Sequence, residues 1–410
     1  MRIALAQVNP TVGDLAGNRR LVEEAAAKAV AAGAQLLVLP ELVLTGYPPM
    51  DLLERHGFVE DQLRELAALE ATSERIAIAL GAVLPVAPRG GKALANCAVL
   101  LAGGRRVAVH AKTLLPTYDL FAEERSFAPA AERTPAALGA FPLGLTVCED
   151  GWGARVPYGI DPTGELAARG ARLVVNLSAS PWHNGKPAER RQVFSDLARQ
   201  HGIPIAFCNQ VGGNDELTFD GGSFFVDAEG RIRAALPLFE PALEVIDLAA
   251  LPDPLAPAAL DEPAGTAQLE AGLVLGIRDY FRKQQLPPGA VVGLSGGIDS
   301  AVTAHLAALA LGPERVLGVL MPGPFSSAHS VEDALALGRR LGIETRSVDI
   351  RPVYEQYLRL FGDLFGARAD YGLAQQNIQS RIRGAILMAF SNEGRRLVLA
   401  TGHKSELSIG

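Results

Sequence analysis

Short apolar runs rich in β-branched residues alternate with helical patterns along nearly the whole chain. Such alternation is typical of α/β domains, in which helices pack on the faces of a sheet. It is interrupted once, at residues 251–265, where a proline-rich stretch has almost no periodicity. Because 410 residues exceed the length of one ordinary domain, we predict α/β domains at residues 1–250 and 266–410, joined by a linker at residues 251–265.

The helices and strands of both domains are predicted from the period of their apolar residues. In the first domain, strands are expected at residues 3–7, 35–39, 76–84, 96–101, 143–147, 173–177, 204–209 and 222–226. Helices are expected there at residues 188–201 and at residues 18–32, where Asn18 can cap the first turn. The second domain is expected to contain strands at residues 290–294, 315–321, 344–348 and 396–400. Its helices are expected at residues 268–285, 301–311, 330–341, 352–365 and 374–391.

Composition and charge exclude several classes of partner. The chain is 49% apolar and 20% charged, as in soluble globular proteins that bury sizeable cores. A net charge of −7 gives no basic surface for nucleic acid, and no apolar run is long enough to span a membrane. The cysteines Cys97, Cys148 and Cys208 are too far apart to indicate a disulfide framework or a zinc site. With no signal peptide, the chain is expected in the reducing cytoplasm.

Three polar residues each directly follow a predicted strand. Glu41 comes after LLVLP, Lys112 after RVAVHA and Cys148 after LGLTV. Because α/β folds place their sites at the carboxyl ends of strands, these side chains can converge. A thiol needs a base to become a nucleophile, which Glu41 can supply, and Lys112 can stabilise the thiolate and an oxyanion. The alternative for such a cysteine is a small buried hydrophobe, which is our interpretation of Cys97 and Cys208.

The chain resembles the nitrilase (carbon–nitrogen hydrolase) superfamily in three signature segments that contain these residues: PELVLTGY (40–47), HAKTLLPTY (110–118) and VCEDGW (147–152). The resemblance covers residues 1–248 and implies an αββα sandwich. It also implies a Glu–Lys–Cys triad for amide hydrolysis. Glu41 would be the base, Lys112 would serve the oxyanion and proton transfer, and Cys148 would be the nucleophile.

Members of this superfamily carry a supporting glutamate after the lysine. Glu123 in FAEERSF (121–127) matches it, while the family pattern is not kept at Ala122 and Ser126. In the subgroup that hydrolyses glutamine, the resemblance implies that the substrate is bound by Tyr118, Ser180 and Lys186. The α-amino and α-carboxylate groups of glutamine need such polar partners at the pocket mouth. For Lys186 the alternative is an ordinary exposed lysine.

A glycine-rich loop, VGLSGGIDSA (292–301), lies between a predicted strand and a predicted helix. Its small residues let backbone N–H groups close around phosphate oxygens, and the helix N-terminus adds partial positive charge. Ser295 and Ser300 can donate hydrogen bonds, and Asp299 can cap the helix or help to hold Mg²⁺. The pattern is neither a Rossmann nor a Walker motif. It resembles the loop of the ATP pyrophosphatases, Rossmann-like parallel α/β domains that adenylate a carboxylate or carbonyl and release pyrophosphate.

The chain also resembles the NAD synthetases in three later segments: MPGPFSS (321–327), QNIQSRIRG (376–384) and ATGHKSE (400–406). The resemblance implies that ATP is bound by Gly293, Leu294, Ser295, Gly296, Gly297, Ile298, Asp299, Ser300 and Thr401. It implies that Asn377 and Glu406 contact nicotinic acid adenine dinucleotide. His403 departs from the family pattern, and we interpret it as a tolerated variant rather than a ligand. Of Arg381 and Arg383, on different faces of a helix, one is expected to meet phosphate.

The two resemblances together imply one enzyme with two sites. Glutamine would be hydrolysed at Cys148, and the released ammonia would amidate nicotinic acid adenine dinucleotide (deamido-NAD) to NAD in the second domain. ATP would be the co-substrate, giving AMP and pyrophosphate, and Mg²⁺ would neutralise the phosphates. We expect small-molecule substrates, no tightly bound organic cofactor and, from the resemblance, a homo-oligomer.

Two other classes of function remain open at this point. One is a stand-alone amidase whose C-terminal half is not functional. The abrupt end at Gly410 favours it, because the family's synthetase domain is expected to continue further. The other is a non-catalytic binding protein, which would require both sets of motifs to be idle.

Overall fold

The computed structural model of this chain describes residues 1–89, 91–118, 121–153, 158–256, 260, 265–402 and 404–409. The chain forms two compact units, Met1–Gly272 and Leu273–Gly410. The described residues of 251–265, the predicted linker, belong to neither a helix nor a strand. His403 lies outside the described residues. None of the described helices is long and apolar enough to cross a bilayer.

The first unit contains fourteen strands among its described residues. In chain order they are β1 (Arg2–Gln7), β2 (Leu36–Val38), β3 (Ala77–Arg89), β4 (Lys92–Ala102), β5 (Arg105–Ala111), β6 (Ala136–Leu138), β7 (Phe141–Val147), β8 (Leu173–Ser178), β9 (Ile205–Asn209), β10 (Val211–Asn214), β11 (Leu217–Asp220), β12 (Phe224–Val226), β13 (Ile232–Ala235) and β14 (Ala242–Asp247). Its α-helices are α1 (Leu15–Ala31), α2 (Phe58–Thr72), α3 (Glu123–Ser126), α4 (Pro162–Ala168) and α5 (Lys186–His201). Short 3₁₀ turns cover Met50–Glu54 and Cys148–Gly151.

These strands build two six-stranded sheets, in the orders β14-β1-β2-β3-β4-β5 and β13-β12-β9-β8-β7-β6, and β10 and β11 form a separate hairpin. The two sheets face each other, because Ile3 and Leu5 of the first share one buried cluster with Leu143 and Leu145 of the second. Successive strand residues point to opposite faces. Ala4 and Ala6 therefore pack on the other face, in a cluster that contains α1 and α2 residues.

The second sheet is covered on its outer face by α5. Val193 and Phe194 of this helix share a buried cluster with Phe207 of β9 and Phe224 of β12. Four layers in the order helix, sheet, sheet, helix are the sandwich that the sequence predicted. One local prediction was wrong, because Asn18 does not cap α1.

Asp14 caps α1 instead, accepting a hydrogen bond from Gly17 N at 2.9 Å. Asn18 lies inside the helix and is buried. Its amide accepts from Thr11 N at 2.9 Å and donates to Thr11 O at 2.8 Å and Leu44 O at 2.9 Å. Asn18 therefore ties α1 to the loop after β2, a long-range role that the local capping pattern does not reveal.

The helix α6 (Thr266–Lys283) contains the division between the two units. Its first residues belong to the first unit. Gln268 Oε1 accepts a hydrogen bond from Trp182 Nε1 at 3.4 Å. A Cβ on Gly272 would lie 2.9 Å from the same indole ring, so only glycine permits this approach. The division between the two compact units thus lies within α6, and the predicted domain bounds stay a prediction.

The remaining elements of the second unit are β15 (Gly289–Gly293), α7 (Ile298–Leu311), β16 (Val316–Leu320), α8 (Ala328–Leu341), β17 (Glu344–Ser347), α9 (Arg351–Phe365), α10 (Leu373–Gly394), β18 (Arg396–Leu399) and α11 (Lys404–Ile409). The strands form a parallel sheet in the order β17-β16-β15-β18. Val292 faces a buried cluster with α7 and α8, and Val291 faces one with α9 and α10. Because the strand order reverses beside β15, a crevice is expected outside the carboxyl ends of β15 and β18.

Candidate active sites

The three residues of the predicted triad follow strands of the facing sheets in the first unit. Glu41 lies shortly after β2, Lys112 directly after β5 and Cys148 directly after β7. Glu41 and Lys112 have 0% and 1% of their surface exposed. Lys112 Nζ lies 2.9 Å from Glu41 Oε1 and 2.7 Å from Glu123 Oε1. The structure thus brings Glu123, predicted as a supporting residue, into direct contact with the lysine.

The Glu41 carboxylate is fixed by hydrogen bonds to both of its oxygens. Oε1 accepts from Asn96 Nδ2 at 2.7 Å as well as from Lys112. Oε2 accepts from the backbone N–H of Ala179 at 2.9 Å. A base held in this way keeps one orientation, which proton transfer over a short distance requires.

Burial and the two neighbouring carboxylates set the charge of Lys112. Burial acts to lower its pKa, but the negative charges of Glu123 and Glu41 outweigh it and raise the pKa well above the usual value. The amine therefore stays protonated. A buried ammonium beside the thiol is positioned to stabilise negative charge that develops there.

Glu123 is held by Tyr47 Oη, which donates to Glu123 Oε1 at 2.8 Å, and by Lys112. Its other oxygen, Oε2, has no hydrogen-bond partner among the described residues. Burial raises the pKa of Glu123 to about 7, against the lowering effect of the Lys112 charge. This carboxyl group can therefore change its protonation state near neutral pH.

Cys148 begins the 3₁₀ turn after β7 with a positive φ of 41°. L-residues adopt such a backbone rarely, and its occurrence at this position is consistent with a functional constraint. Burial raises the pKa of the thiol well above its usual value, and the negative charge of Glu41 raises it further, while Lys112 acts in the opposite direction. The resting side chain is therefore a neutral thiol that needs a base to become a nucleophile.

Glu149, directly after Cys148, is a buried carboxylate that the sequence reasoning did not single out. Tyr118 Oη donates to its Oε1 and Oε2 at 3.0 and 3.1 Å, and Tyr158 Oη donates to Oε1 at 2.8 Å. The structure thus places Tyr118, a predicted glutamine ligand, beside the Cys148 turn. The motif CEDGW contains Glu149, but its tyrosine partners follow no periodic pattern.

Ser180 is buried, and its backbone N–H donates to Asn209 Oδ1 at 2.9 Å. Asn209 Nδ2 in turn donates to Asp220 Oδ1 at 3.2 Å. Asp220 forms a fully buried ion pair with Arg190, with 2.9 Å between Arg190 Nη2 and Asp220 Oδ1. The loop that carries Ser180 is therefore fixed from behind by a buried polar network.

Lys186 begins α5, and its Nζ lies 3.8 Å from the centroid of the Trp152 ring, a cation–π contact. It also lies 3.4 Å from Glu189 Oε2. Trp152 closes the 3₁₀ turn that Cys148 begins. The contact therefore connects Lys186 to the turn that Cys148 begins, while the role of Lys186 in binding glutamine stays a prediction.

The glycine-rich loop of the second unit joins β15 to α7 and is closed by serine hydroxyls. Ser295 and Ser300 place their Oγ atoms 3.1 Å apart. Ser300 Oγ accepts from Ser295 N at 3.2 Å, and Ser295 Oγ accepts from Gly297 N at 3.2 Å. Leu294 precedes this serine pair, and Ile298 begins α7. Gly296 has a φ of 82°, which favours glycine.

A cavity of about 620 Å³ opens beside this loop. Its walls include Gly293, Ser295 and Thr401, as well as Arg383, which donates from Nε to Met321 O at 3.2 Å. Burial lowers the pKa of Arg383, but a guanidinium remains charged. A cationic side chain beside a hydroxyl-rich loop suits a polyphosphate, and Arg381 is exposed on another face of α10.

Asn377 and Glu406, the predicted contacts to the dinucleotide, are exposed positions on α10 and α11. Neither is among the described residues that line the cavity. Asp299, in the first turn of α7, is also exposed. The described residues contain no cluster of three or more His, Cys, Asp or Glu side chains that could hold a metal alone. One carboxylate beside a phosphate loop nevertheless suits Mg²⁺, which takes most of its ligands from nucleotide phosphates and water.

Two protein families match this chain. The carbon–nitrogen hydrolase family matches residues 2–250, and the NAD synthase family matches residues 270–410. An amidase from Nesterenkonia sp. matches the structure with a TM-score of 0.52 and 29% identity, over 66% of this chain and 94% of that chain. These matches confirm the predicted fold class, a nitrilase-like α/β sandwich followed by an α/β NAD synthetase domain.

Relatives match over the whole chain. A glutamine-dependent NAD(+) synthetase of Synechocystis sp. is 44% identical over an alignment of 429 positions, which spans 100% of this chain and 75% of that protein. A glutamine-dependent NAD(+) synthetase of Thermotoga maritima is 37% identical over an alignment of 444 positions, which also spans 100% of this chain and 75% of that protein.

A solved structure also matches the whole chain. The glutamine-dependent NAD+ synthetase from Acinetobacter baumannii, in complex with adenosine diphosphate, matches with a TM-score of 0.91 and 34% identity, over 100% of this chain and 76% of that chain. The two-site enzyme is therefore favoured over the amidase-only alternative. With both families and full-length relatives in agreement, the chain belongs to the glutamine-dependent NAD synthetases.

Proposed function

We propose that Cys148, Glu41 and Lys112 carry out the glutamine hydrolysis that supplies this family's reaction with ammonia. The buried Lys112, in contact with Glu41 and Glu123 beside the cysteine turn, is the observation that carries the proposal. Glu41 takes the proton of the thiol as Sγ attacks the amide carbon of glutamine. The Lys112 ammonium stabilises the oxyanion that forms.

The same base then completes the reaction in two steps. Protonated Glu41 returns its proton to the amide nitrogen, the carbon–nitrogen bond breaks, and ammonia leaves a γ-glutamyl thioester on Cys148. Glu41 next deprotonates a water molecule that attacks the thioester carbonyl. The thiol leaves with a proton, and glutamate is released. Each step needs the fixed Glu41 carboxylate that the hydrogen bonds from Asn96 and Ala179 provide.

Glutamine is held at the mouth of this site by the predicted residues Tyr118, Ser180 and Lys186, and by Glu149. The Glu149 carboxylate accepts the hydroxyl protons of Tyr118 and Tyr158, and the Tyr118 proton is shared between the two carboxylate oxygens. A carboxylate has about four acceptor positions, so acceptor capacity remains for the α-ammonium of glutamine. Lys186 supplies a positive charge suited to the α-carboxylate.

Replacing Glu149 by glutamine is expected to raise KM for glutamine about 10- to 100-fold, because a hydrogen bond between charged groups is weakened. The kcat for glutamine hydrolysis is expected to stay within about threefold, because Glu149 contacts the part of the substrate that does not react. Steady-state release of glutamate measures both constants. The control is Glu165→Gln, which changes a more exposed carboxylate paired with Arg133 and leaves KM unaltered. An unchanged KM in Glu149→Gln would remove Glu149 from the binding site.

In the second unit, Gly293 to Ser300 and Thr401 bind ATP, with the loop N–H groups and hydroxyls on the phosphates. Asp299 would help to hold Mg²⁺, which supplies charge neutralisation to the phosphates when it is bound. Asn377 and Glu406 contact deamido-NAD. The nicotinate carboxylate attacks the α-phosphorus of ATP and pyrophosphate leaves, after which ammonia attacks the adenylated carbonyl carbon and AMP leaves.

The proposed setting is the cytoplasm, with residues 1–250 as the glutaminase domain, residues 251–265 as a linker and residues 266–410 as the synthetase domain. A homo-oligomer is proposed from the family alone.

The purified 410-residue chain, supplied with ATP, Mg²⁺ and deamido-NAD, is expected to form NAD from either glutamine or ammonium. With glutamine, glutamate should appear at least as fast as NAD, because every amide nitrogen transferred comes from one hydrolysis. Parallel assays of glutamate, NAD and AMP test this. Glutamate without NAD from either nitrogen source would instead support a stand-alone amidase.

A further inference from the structure

Asp150, the second residue after the nucleophile, is a buried carboxylate with 3% of its surface exposed. Both of its oxygens accept hydrogen bonds from backbone N–H groups. Oδ1 accepts from Thr113 at 2.9 Å and from Leu114 at 2.8 Å, and Oδ2 accepts from Val147 at 3.0 Å. These bonds compensate the carboxylate for its lost hydration. They also occupy both oxygens, so Asp150 is poorly placed to act on the substrate itself.

The three donors flank the two residues whose separation matters for the reaction. Thr113 and Leu114 directly follow Lys112, and Val147 directly precedes Cys148. β5, which ends next to Lys112, belongs to one sheet of the sandwich, and β7, which ends next to Cys148, belongs to the other. One carboxylate therefore ties the ends of strands from two different sheets.

The two sheets pack through apolar side chains, and such packing is not directional. Catalysis needs a more exact placement of side chains than such packing provides, because a displacement of about 1 Å can lower the rate about 100-fold. The three short hydrogen bonds to the Asp150 side chain are directional, so they can fix the relative position of the two strand ends. Burial raises the pKa of Asp150 to about 6, against the lowering effect of these hydrogen bonds, so at neutral pH both oxygens are acceptors.

We propose that Asp150 is a positioning residue that sets the placement of the Lys112 ammonium relative to the Cys148 sulfur. This inference rests on the roles proposed above for those two residues. Asp150 would therefore affect the rate of glutamine hydrolysis, through the transition state, rather than the binding of glutamine. The asparagine variant keeps the shape of the side chain but turns an NH₂ group toward at least one backbone N–H.

Asp150→Asn in the full chain is expected to lower kcat for glutamine hydrolysis about 100-fold, while KM changes by less than about threefold. The alkylation rate of Cys148 by iodoacetamide is expected to fall as well, because the ammonium no longer favours the thiolate. NAD formation from ammonium should be unchanged. Rates are expressed per folded molecule, with the folded fraction taken from the thermal melt.

Two further variants test whether Asp150 acts by positioning, and not merely by stabilising the fold or by carrying a negative charge. Asp227 has the same 3% exposure and accepts from the backbone N–H groups of Glu229 and Arg231 at 3.0 and 2.9 Å. Asp227→Asn is expected to lower Tm but keep kcat. Asp150→Glu retains the negative charge yet moves it by one methylene, so kcat should also fall if placement is what matters.

Wild-type kcat per folded molecule in Asp150→Asn would overturn the inference, as would full activity in Asp150→Glu or a change confined to KM. None of these results would affect the roles of the triad. Those roles would fail in a different way, through glutamine hydrolysis that persists without Cys148.

Discussion

Replacing Cys148 by alanine is expected to abolish NAD formation from glutamine and to leave NAD formation from ammonium unchanged. In the proposed mechanism the thiol of Cys148 is the group that bonds to the substrate, and the other two cysteines, Cys97 and Cys208, are fully buried. Loss of a covalent nucleophile leaves binding and oxyanion stabilisation alone, so the fall in glutamine hydrolysis should be roughly 10⁴-fold or more. Ammonium supplies ammonia without any reaction at Cys148, so this second activity is expected to persist.

The matched control is Cys208→Ala. Cys208 is fully buried between the sheets, and its Sγ lies 3.4 Å from Ala6 O and 3.3 Å from Val38 O. Burial raises its pKa to about 12, so it supplies no thiolate at neutral pH. Its variant should keep kcat for glutamine and lose some stability. Parallel assays of glutamate release and NAD formation by both variants test the prediction. Glutamine-driven NAD formation by Cys148→Ala would rule out the triad.

The contact between Glu41 and Lys112 could be anticipated because its signal is local in sequence, while the catalytic roles of the triad stay a proposal. Glu41, Lys112 and Cys148 each follow a strand, and such folds place polar side chains at strand ends. The roles proposed for Glu149 and Asp150 could not be predicted in this way. Both lie in the same motif as the nucleophile, but what they do depends on where their partners lie in space. Glu149 accepts hydrogen bonds from tyrosines in two separate loop segments. Asp150 accepts one from a residue just after the end of a strand in the other sheet.

In the fold, too, the elements with a local sequence signal could be predicted, and those that depend on residues far away in the chain could not. The strand β1 was predicted from its own apolar residues, whereas its antiparallel partner β14 was not. β14 has a half-exposed pattern because it is an edge strand whose pairing is set by residues at the other end of the first unit. The start of α6 was predicted within two residues. Its attachment to the first unit depends on Trp182 and Gly272, which no period in the sequence connects.

Replacing Gly296 by alanine is expected to have the opposite outcome to Cys148→Ala, abolishing NAD formation from either nitrogen source while glutamine hydrolysis continues. The φ of 82° is strained for any residue with a Cβ. A Cβ at this position would also lie 2.4 Å from Ser330 O and 2.7 Å from Ser330 Cα. Both are backbone atoms of α8 and cannot rotate away. The loop between β15 and α7 must therefore move, and its N–H groups leave the phosphates.

The neighbouring glycine provides a control within the same loop. Gly297 has a φ of −89°, and a Cβ there would approach the Ser295 hydroxyl at 3.3 Å, a contact with a side chain that can adjust. Backbone strain costs roughly 1–3 kcal/mol per residue, which corresponds to up to about 100-fold in rate before the clash is added. NAD formation from ammonium should therefore fall at least about 100-fold in Gly296→Ala and less than about tenfold in Gly297→Ala. Equal rates in the two variants would mean that the fine geometry of this loop does not hold the ATP phosphates. Because glutamate release serves as the internal measure of folding, the loss cannot be confused with a failure of the first unit.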